Sequence, residues 1–163
     1  MYWLARKDAM TRPRGREIIG RAEPQSRLEQ VALASATGRR SAVLVSGAAG
    51  MGKTSLIRAA FDTSSDGSAV GWGTCWQGGG APGFWPWMQA LDGLTRAIGR
   101  DAAVLAAGDD RDRLATLIRE LGPAPETTDD PDRQRFLLLD AVVRWLNNLA
   151  ADRHVAIVLD DLQ

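Results

Sequence analysis

The sequence predicts an α/β fold in which parallel strands form one sheet covered by helices, a three-layer arrangement. Three observations predict it. Two continuous apolar runs, SAVLVS at 41–46 and VAIVL at 155–159, lack the alternation of a half-exposed strand and suit strands buried on both faces. Around them, apolar residues recur every three or four positions, the period of helices that pack by one face. A glycine-rich loop, SGAAGMGKTS at 46–55, joins the first strand to a helix, and the alternation of strand and helix without internal repeats argues for a single parallel sheet.

Residues 1–16 carry five basic residues against one acid, lack periodicity and include Pro13 and Gly15; they read as a disordered basic leader ahead of a domain at 17–163. Pro24 as a start, Leu28, Val31, Ala32 and Leu33 as an inner face and Gly38 as a stop predict a helix over about 24–37. After the strand at 41–46 and the loop, a helix from near Lys53 presents Leu56, Ile57, Ala60 and Phe61 inward. TSSDGS at 63–68 is a turn, and AVGWGTC at 69–75 is the second strand, weakened by two glycines. Residues 76–87 read as a loop, 88–99 as a helix and 110–122 as another, with Leu114, Leu117, Ile118 and Leu121 on one side. The acidic, proline-bearing 123–132 is a solvated connector. Residues 133–151 form the strongest helix: Phe136, Leu139, Val143, Leu146 and Ala150 make one stripe and Leu138, Val142, Trp145 and Leu149 its neighbour. So wide an apolar face should lie on a sheet. The third strand, Val155–Leu159, ends in Asp160 and Asp161.

Composition bounds the function. With 163 residues, 45% of them hydrophobic, the chain suits one domain with a sizeable core. Twenty basic and twenty acidic residues balance, so no global charge draws it to nucleic acid or an anionic membrane. No apolar run approaches the roughly 20 residues that span a bilayer, and no signal-peptide core is evident. The lone cysteine, Cys75, cannot form an internal disulfide and reads as a small buried apolar residue. A soluble, cytoplasmic protein without membrane contact is expected.

Only two of the twenty basic residues are lysines, and one of them, Lys53, stands in the glycine-rich loop. The spacing Gly47, four residues, Gly52, Lys53, Thr54 is the Walker A pattern of P-loop NTPases. Small residues let successive backbone N–H groups converge on phosphate oxygens, which suits Gly47, Ala48, Ala49, Gly50, Met51 and Gly52. The following helix points its positive end at the same place, and Ser55 completes the run. Lys53 would set an ammonium between the β- and γ-phosphates of ATP, and Thr54 a hydroxyl on Mg²⁺. Asp160, at the carboxyl end of a buried strand, suits indirect coordination of that ion, and Asp161 suits orienting or deprotonating an attacking water. A strand ending in Asp-Asp says little by itself; paired with the loop it is a Walker B segment over 155–161.

Four segments, IIGRAEPQSRL, AVLVSGAAGMGKTSLIRAAF, APGFWPWMQAL and RFLLLDAVVRWLNNLAADRHVAIVLDDLQ, together resemble the AAA-type ATPase module of bacterial signal-transduction (STAND) ATPases. The likeness is to the N-terminal module of large LuxR-family transcriptional regulators, and it spans 18–163. It implies that Ile19, Gly20 and Arg21 lie near the adenine. It also implies a sheet order of 5-1-4-3-2, in which the fourth strand lies between the P-loop strand and the Walker B strand. Strands after Walker B are missing from this chain, so the fold is expected to be incomplete and the fragment alone unstable and inactive. DNA contact would come through a C-terminal domain absent here, and nucleotide-dependent self-association is a further implication. Two functions stay open: a nucleotide switch that hydrolyses ATP, and a non-hydrolysing nucleotide-binding scaffold, since Asp161 stands where efficient relatives carry glutamate.

Trp72, Trp76, Phe84, Trp85 and Trp87 fall within sixteen positions. They read as loop aromatics covering the end of the sheet, with a partner surface as the alternative. His154, the one histidine, reads as a solvated strand start.

Overall fold

The computed structural model describes residues 22–35, 40–61, 68–76, 78, 80–126 and 130–162. The basic leader expected at 1–16 lies outside the described residues. The chain runs α1 (Ala22–Ser35), α2 (Lys53–Phe61), β1 (Ala69–Thr74), α3 (Trp85–Ile98), α4 (Arg100–Ala107), the single turn α5 (Arg111–Leu114), α6 (Pro131–Asp152) and β2 (Val155–Asp160). Two 3₁₀ turns, Gly108–Asp110 and Arg119–Leu121, flank α5. Among the described residues no helix is long and apolar enough to cross a membrane.

β1 and β2 pair in parallel, Ala69 opposite Val155 and Thr74 opposite Asp160. The two glycines of β1 have a use here: α3 crosses so close that a Cβ on Gly71 or Gly73 would strike the carbonyls of Ala90 or Pro86. Close helix–strand packing, rather than strand propensity, selects glycine at both positions. At the outer edge of β1, the Gln89 side chain of α3 imitates a neighbouring strand. Its Oε1 accepts from the Thr74 N–H at 3.4 Å and its Nε2 donates to the Thr74 carbonyl at 3.3 Å.

The main core lies between α3, α4, α6 and one face of the sheet. Leu91, Leu94, Leu114, Ile118, Leu121, Ala141 and Trp145 are buried there, and the Trp145 indole donates to the Ala103 carbonyl at 3.0 Å. α6 begins as its sequence dictates: Pro131 sits in the first turn, and the Asp130 carboxylate caps it by accepting from the Arg133 N–H at 3.3 Å. A second, smaller cluster joins α1 to α2 through Leu28, Leu56 and Ala60, with Val45, Ile57 and Phe61 against it.

Three expectations need correction. The strand expected over 41–46 does not form. Its residues form no regular element, with Val43 about half exposed and Leu44 at 83%; among the described residues no strand pairs with them. The helix expected over 110–122 breaks after Leu114, and Ile118 is extended (φ −112°, ψ 92°). Its four leucine and isoleucine anchors are all buried, but a turn brings them to the core rather than one helix face. Finally, α3 starts at Trp85 inside the stretch expected as loop, with Pro86 in its first turn, and α4 fills 100–107, a stretch to which no element had been assigned.

Candidate functional site

The carboxyl ends of β1 and β2, the loop at 46–52 and the start of α2 meet at one end of the sheet, where ligands of open α/β sheets commonly bind. Gly50 (φ 76°) and Gly52 (φ 75°) adopt the left-handed conformation, which an L side chain resists. A turn closed by Met51 N–H on the Ala48 carbonyl (3.4 Å) leads into α2, whose first bond runs from the Leu56 N–H to the Gly52 carbonyl at 3.0 Å. Gly47, Ala48, Ala49, Gly50, Met51 and Gly52 are all exposed. No acidic residue occupies the first turn of α2, so the partial positive charge of that helix end is unopposed by its own side chains.

Lys53 folds back along the loop: its Nζ donates to the carbonyls of Gly47 (2.9 Å) and Ala48 (3.1 Å). Its ammonium thus lies inside the curve of the loop, a position that dense negative charge could take over from the two carbonyls. Ser55 is exposed one residue beyond Thr54.

Residues 106 positions apart meet next: Thr54 Oγ1 donates to Asp160 Oδ2 at 2.8 Å. The other carboxylate oxygen, Oδ1, accepts from the Asp161 N–H at 3.0 Å. The Asp160 carbonyl accepts from the Cys75 N–H at 3.0 Å. Asp161 is exposed and has positive φ (54°), so the chain leaves the strand at this residue. Aspartate tolerates that conformation better than most side chains.

The register also brings in residues that spacing alone could not. Thr74 lies opposite Asp160, and strand alternation puts both side chains on the face that looks toward α2. Trp72, two residues back on the same face, carries the Arg58 guanidinium of α2 over its ring at 5.4 Å. The polar residue at the end of β1 was the only signal for Thr74; nothing marked Arg58.

A groove of about 1030 Å³ is lined by the stretch Arg40–Ser46 and by β2. Val143, Leu146 and Ala150 of α6 and Ile57 and Phe61 of α2 also line it, and Lys53 and Asp160 stand among its walls. The bonds from Ala69 N–H to the His154 carbonyl and from Cys75 N–H to the Asp160 carbonyl set the ladder phase. In a parallel ladder with that phase, Val155, Ile157 and Leu159 turn their N–H and C=O groups away from β1, into the groove.

The remaining sequence candidates separate. Ile19, Gly20 and Arg21 lie outside the described residues. Of the aromatic group, Trp72 lies under Arg58 and Phe84 under Arg135 (5.3 Å), Trp85 is half-buried at the start of α3, and Trp76 and Trp87 are exposed. Cys75 is half-buried rather than buried, and His154 takes part in the ladder through its carbonyl.

A family model described as an AAA ATPase domain matches residues 17–163. No curated protein and no solved structure matches the chain.

Proposed function

The chain belongs to the AAA ATPase domain family, and we propose that it binds ATP with Mg²⁺ at the loop 47–55 and hydrolyses it as the regulatory module of a signal-transduction ATPase. The observation that carries this reading is the Thr54–Asp160 contact. It unites the hydroxyl at the start of α2 with the carboxylate at the end of β2, beside a loop whose backbone and lysine suit phosphate.

In this reading the loop N–H groups and the amino end of α2 hold the phosphates, and Lys53 exchanges its two carbonyl partners for β- and γ-phosphate oxygens. Thr54 would give Mg²⁺ its hydroxyl oxygen, and Asp160, bonded to that hydroxyl, would coordinate the ion indirectly. Among the described residues no cluster of three acidic, cysteine or histidine side chains could hold a metal. Mg²⁺ itself keeps several waters and takes much of its shell from the phosphates. When bound, the ion neutralises charge on the transferring phosphoryl group. Asp161 orients the attacking water and takes its proton; by the family likeness alone, Ile19, Gly20 and Arg21, which lie outside the described residues, are proposed to border the adenine.

The groove enters this reading as the seat of a further strand, completing a three-layer domain. A strand of about six residues is about 20 Å long, and the groove is lined by the whole of β2, from Val155 to Asp160. A strand there would bond to Val155, Ile157 and Leu159 and cover Val43 and Leu44. The likeness to LuxR-family regulators adds the proposal that the nucleotide state is relayed to DNA by another domain or by self-association.

Lys53→Ala should abolish ATP binding to the intact protein, at least a hundredfold by calorimetry; unchanged affinity would refute the nucleotide site. A second reading, binding without turnover, has its own support. The Asp161 carboxylate is exposed and has no hydrogen-bond partner among the described residues, whereas a general base is normally held by an orienting group. Phosphate release by wild type against Asp161→Ala separates the two: equal rates at background favour the scaffold.

A further inference from the structure

We propose that Arg58 is a positioning residue for the nucleotide site, fixing the depth and rotation of α2 through its seat on Trp72 so that Thr54 meets Asp160. The inference rests on the nucleotide reading above. Its geometry comes from two repeats that happen to match. Thr54 and Arg58 are four residues apart on α2, on one face of the helix and about 6 Å apart along its axis. Their partners lie on one face of the sheet. Asp160 stands opposite Thr74, and Trp72 is two residues before Thr74 on the same strand, a step of about 6.6 Å. One helical turn therefore spans one strand repeat, and α2 is attached to two adjacent strands at two points. Thr54 contacts β2 at 2.8 Å and Arg58 contacts β1 at 5.4 Å.

Two points do what one cannot. A helix held at Thr54 alone could roll about its axis or tilt its carboxyl end away, and either motion would turn the hydroxyl off Asp160. The apolar side of α2 does not prevent this, because Leu56 and Ala60 pack with Leu28 of α1 in a cluster separate from the main core. Moreover, Lys53, Ile57 and Phe61 of α2 border the open groove. The Arg58 guanidinium on the Trp72 indole supplies the second point, and its charge and planarity suit an aromatic face.

Arg58 touches no phosphate in this arrangement, so its effect should appear only where Thr54 and Asp160 act together, in the contribution of Mg²⁺. In the intact protein, ATP affinity is measured with Mg²⁺ and with EDTA. Arg58→Ala and Trp72→Leu should each reduce the Mg²⁺-dependent gain about two- to fivefold, the range of an exposed cation–π contact. The EDTA affinity should hold, since the loop and Lys53 are untouched. Arg58→Lys should retain most of the gain, and the double variant should lose no more than either single one. A drop of equal size with and without Mg²⁺, a lysine variant as poor as alanine, or additive losses would each overturn the proposal. If wild type binds no ATP in either buffer, the nucleotide reading fails first. The anchor is then judged by amide exchange in the ligand-free protein. Faster exchange across 53–61 in Arg58→Ala, with α6 unchanged, supports it, and unchanged exchange overturns it.

Discussion

The half of the molecule that carries the proposed chemistry is its less buried half. Around α3, α4 and α6, side chains such as Leu91, Leu94, Leu114, Ile118 and Trp145 are essentially inaccessible and form one cluster. Around the loop, three residues, Leu28, Leu56 and Ala60, are buried together, while Val43 and Met51 in and before the loop are about half exposed and Leu44 is at 83%. The difference follows from what each region has to do. A core is stabilised by removing apolar surface from water, whereas a phosphate loop must leave its N–H groups and its lysine reachable. The rigid half supplies Asp160 and Trp72, and the open half is referenced to it through Thr54 and Arg58. The site is thus as well ordered as those two contacts allow, until something fills the groove between the halves.

The comparison breaks if both halves unfold as one unit. Trp145→Ala removes a side chain that is 1% exposed and hydrogen-bonded to Ala103, and should cost about 3–5 kcal/mol. In urea denaturation this appears as a lower midpoint for the transition that melts α3, α4 and α6. Leu56→Ala, at 2% exposure in the small cluster, should cost about 2 kcal/mol, the low end for such a truncation, because its surroundings can collapse. Its effect should be local: amide protection falls in α1 and α2 and stays in α3 and α6. Equal loss of protection in all four helices would show that the two clusters are cooperative and that their separation in space has no energetic meaning.

What the sequence revealed and what it hid follow the same division. The loop, the strand ending in Asp160 and Asp161 and the wide-faced α6 were legible because each is a local pattern with a single physical cause. The neighbour relation of Thr74 to Asp160, and the reach of Arg58 to Trp72, depend on strand register, which no local pattern in β1 encodes. Gly71 and Gly73 looked like weak points in a strand until the backbone of α3 was seen pressed against them. Val43, Leu44 and Val45 announce burial, and the pattern is a fair one. Burial, however, requires a partner, and among the described residues no strand pairs with them. Leu114, Leu117, Ile118 and Leu121 were correctly expected inside. Their spacing is equally satisfied by one helix or by a short helix, a turn and a 3₁₀ segment, and the extended Ile118 shows that the second was taken.

The smallest expected effect sharpens the comparison from the rigid side. Asp110, in the 3₁₀ turn before α5, accepts a two-pronged contact from Arg144 of α6 (2.8 and 3.0 Å) and a third bond from Arg113 (2.7 Å). The hydrogen bonds and charge of Arg144, with Arg113 behind them, hold the Asp110 carboxyl below its ordinary value against the opposing pull of burial. A carboxylate whose pKa is lower folded than unfolded adds stability above its unfolded value, near pH 4, and that contribution disappears as pH falls through the folded value. Wild type should therefore lose stability relative to Asp110→Asn as acid is added below about pH 4, the two converging once Asp110 is protonated in both states. The magnitude is modest, because Arg144 is half exposed and its pairing is screened by solvent. The location is what matters. Asp110 pins the segment around α5 to α6, so amide exchange in acid should rise first there and not in α2. An early rise in α2 instead would mean that the open half, rather than this junction, sets the response of the molecule to acid.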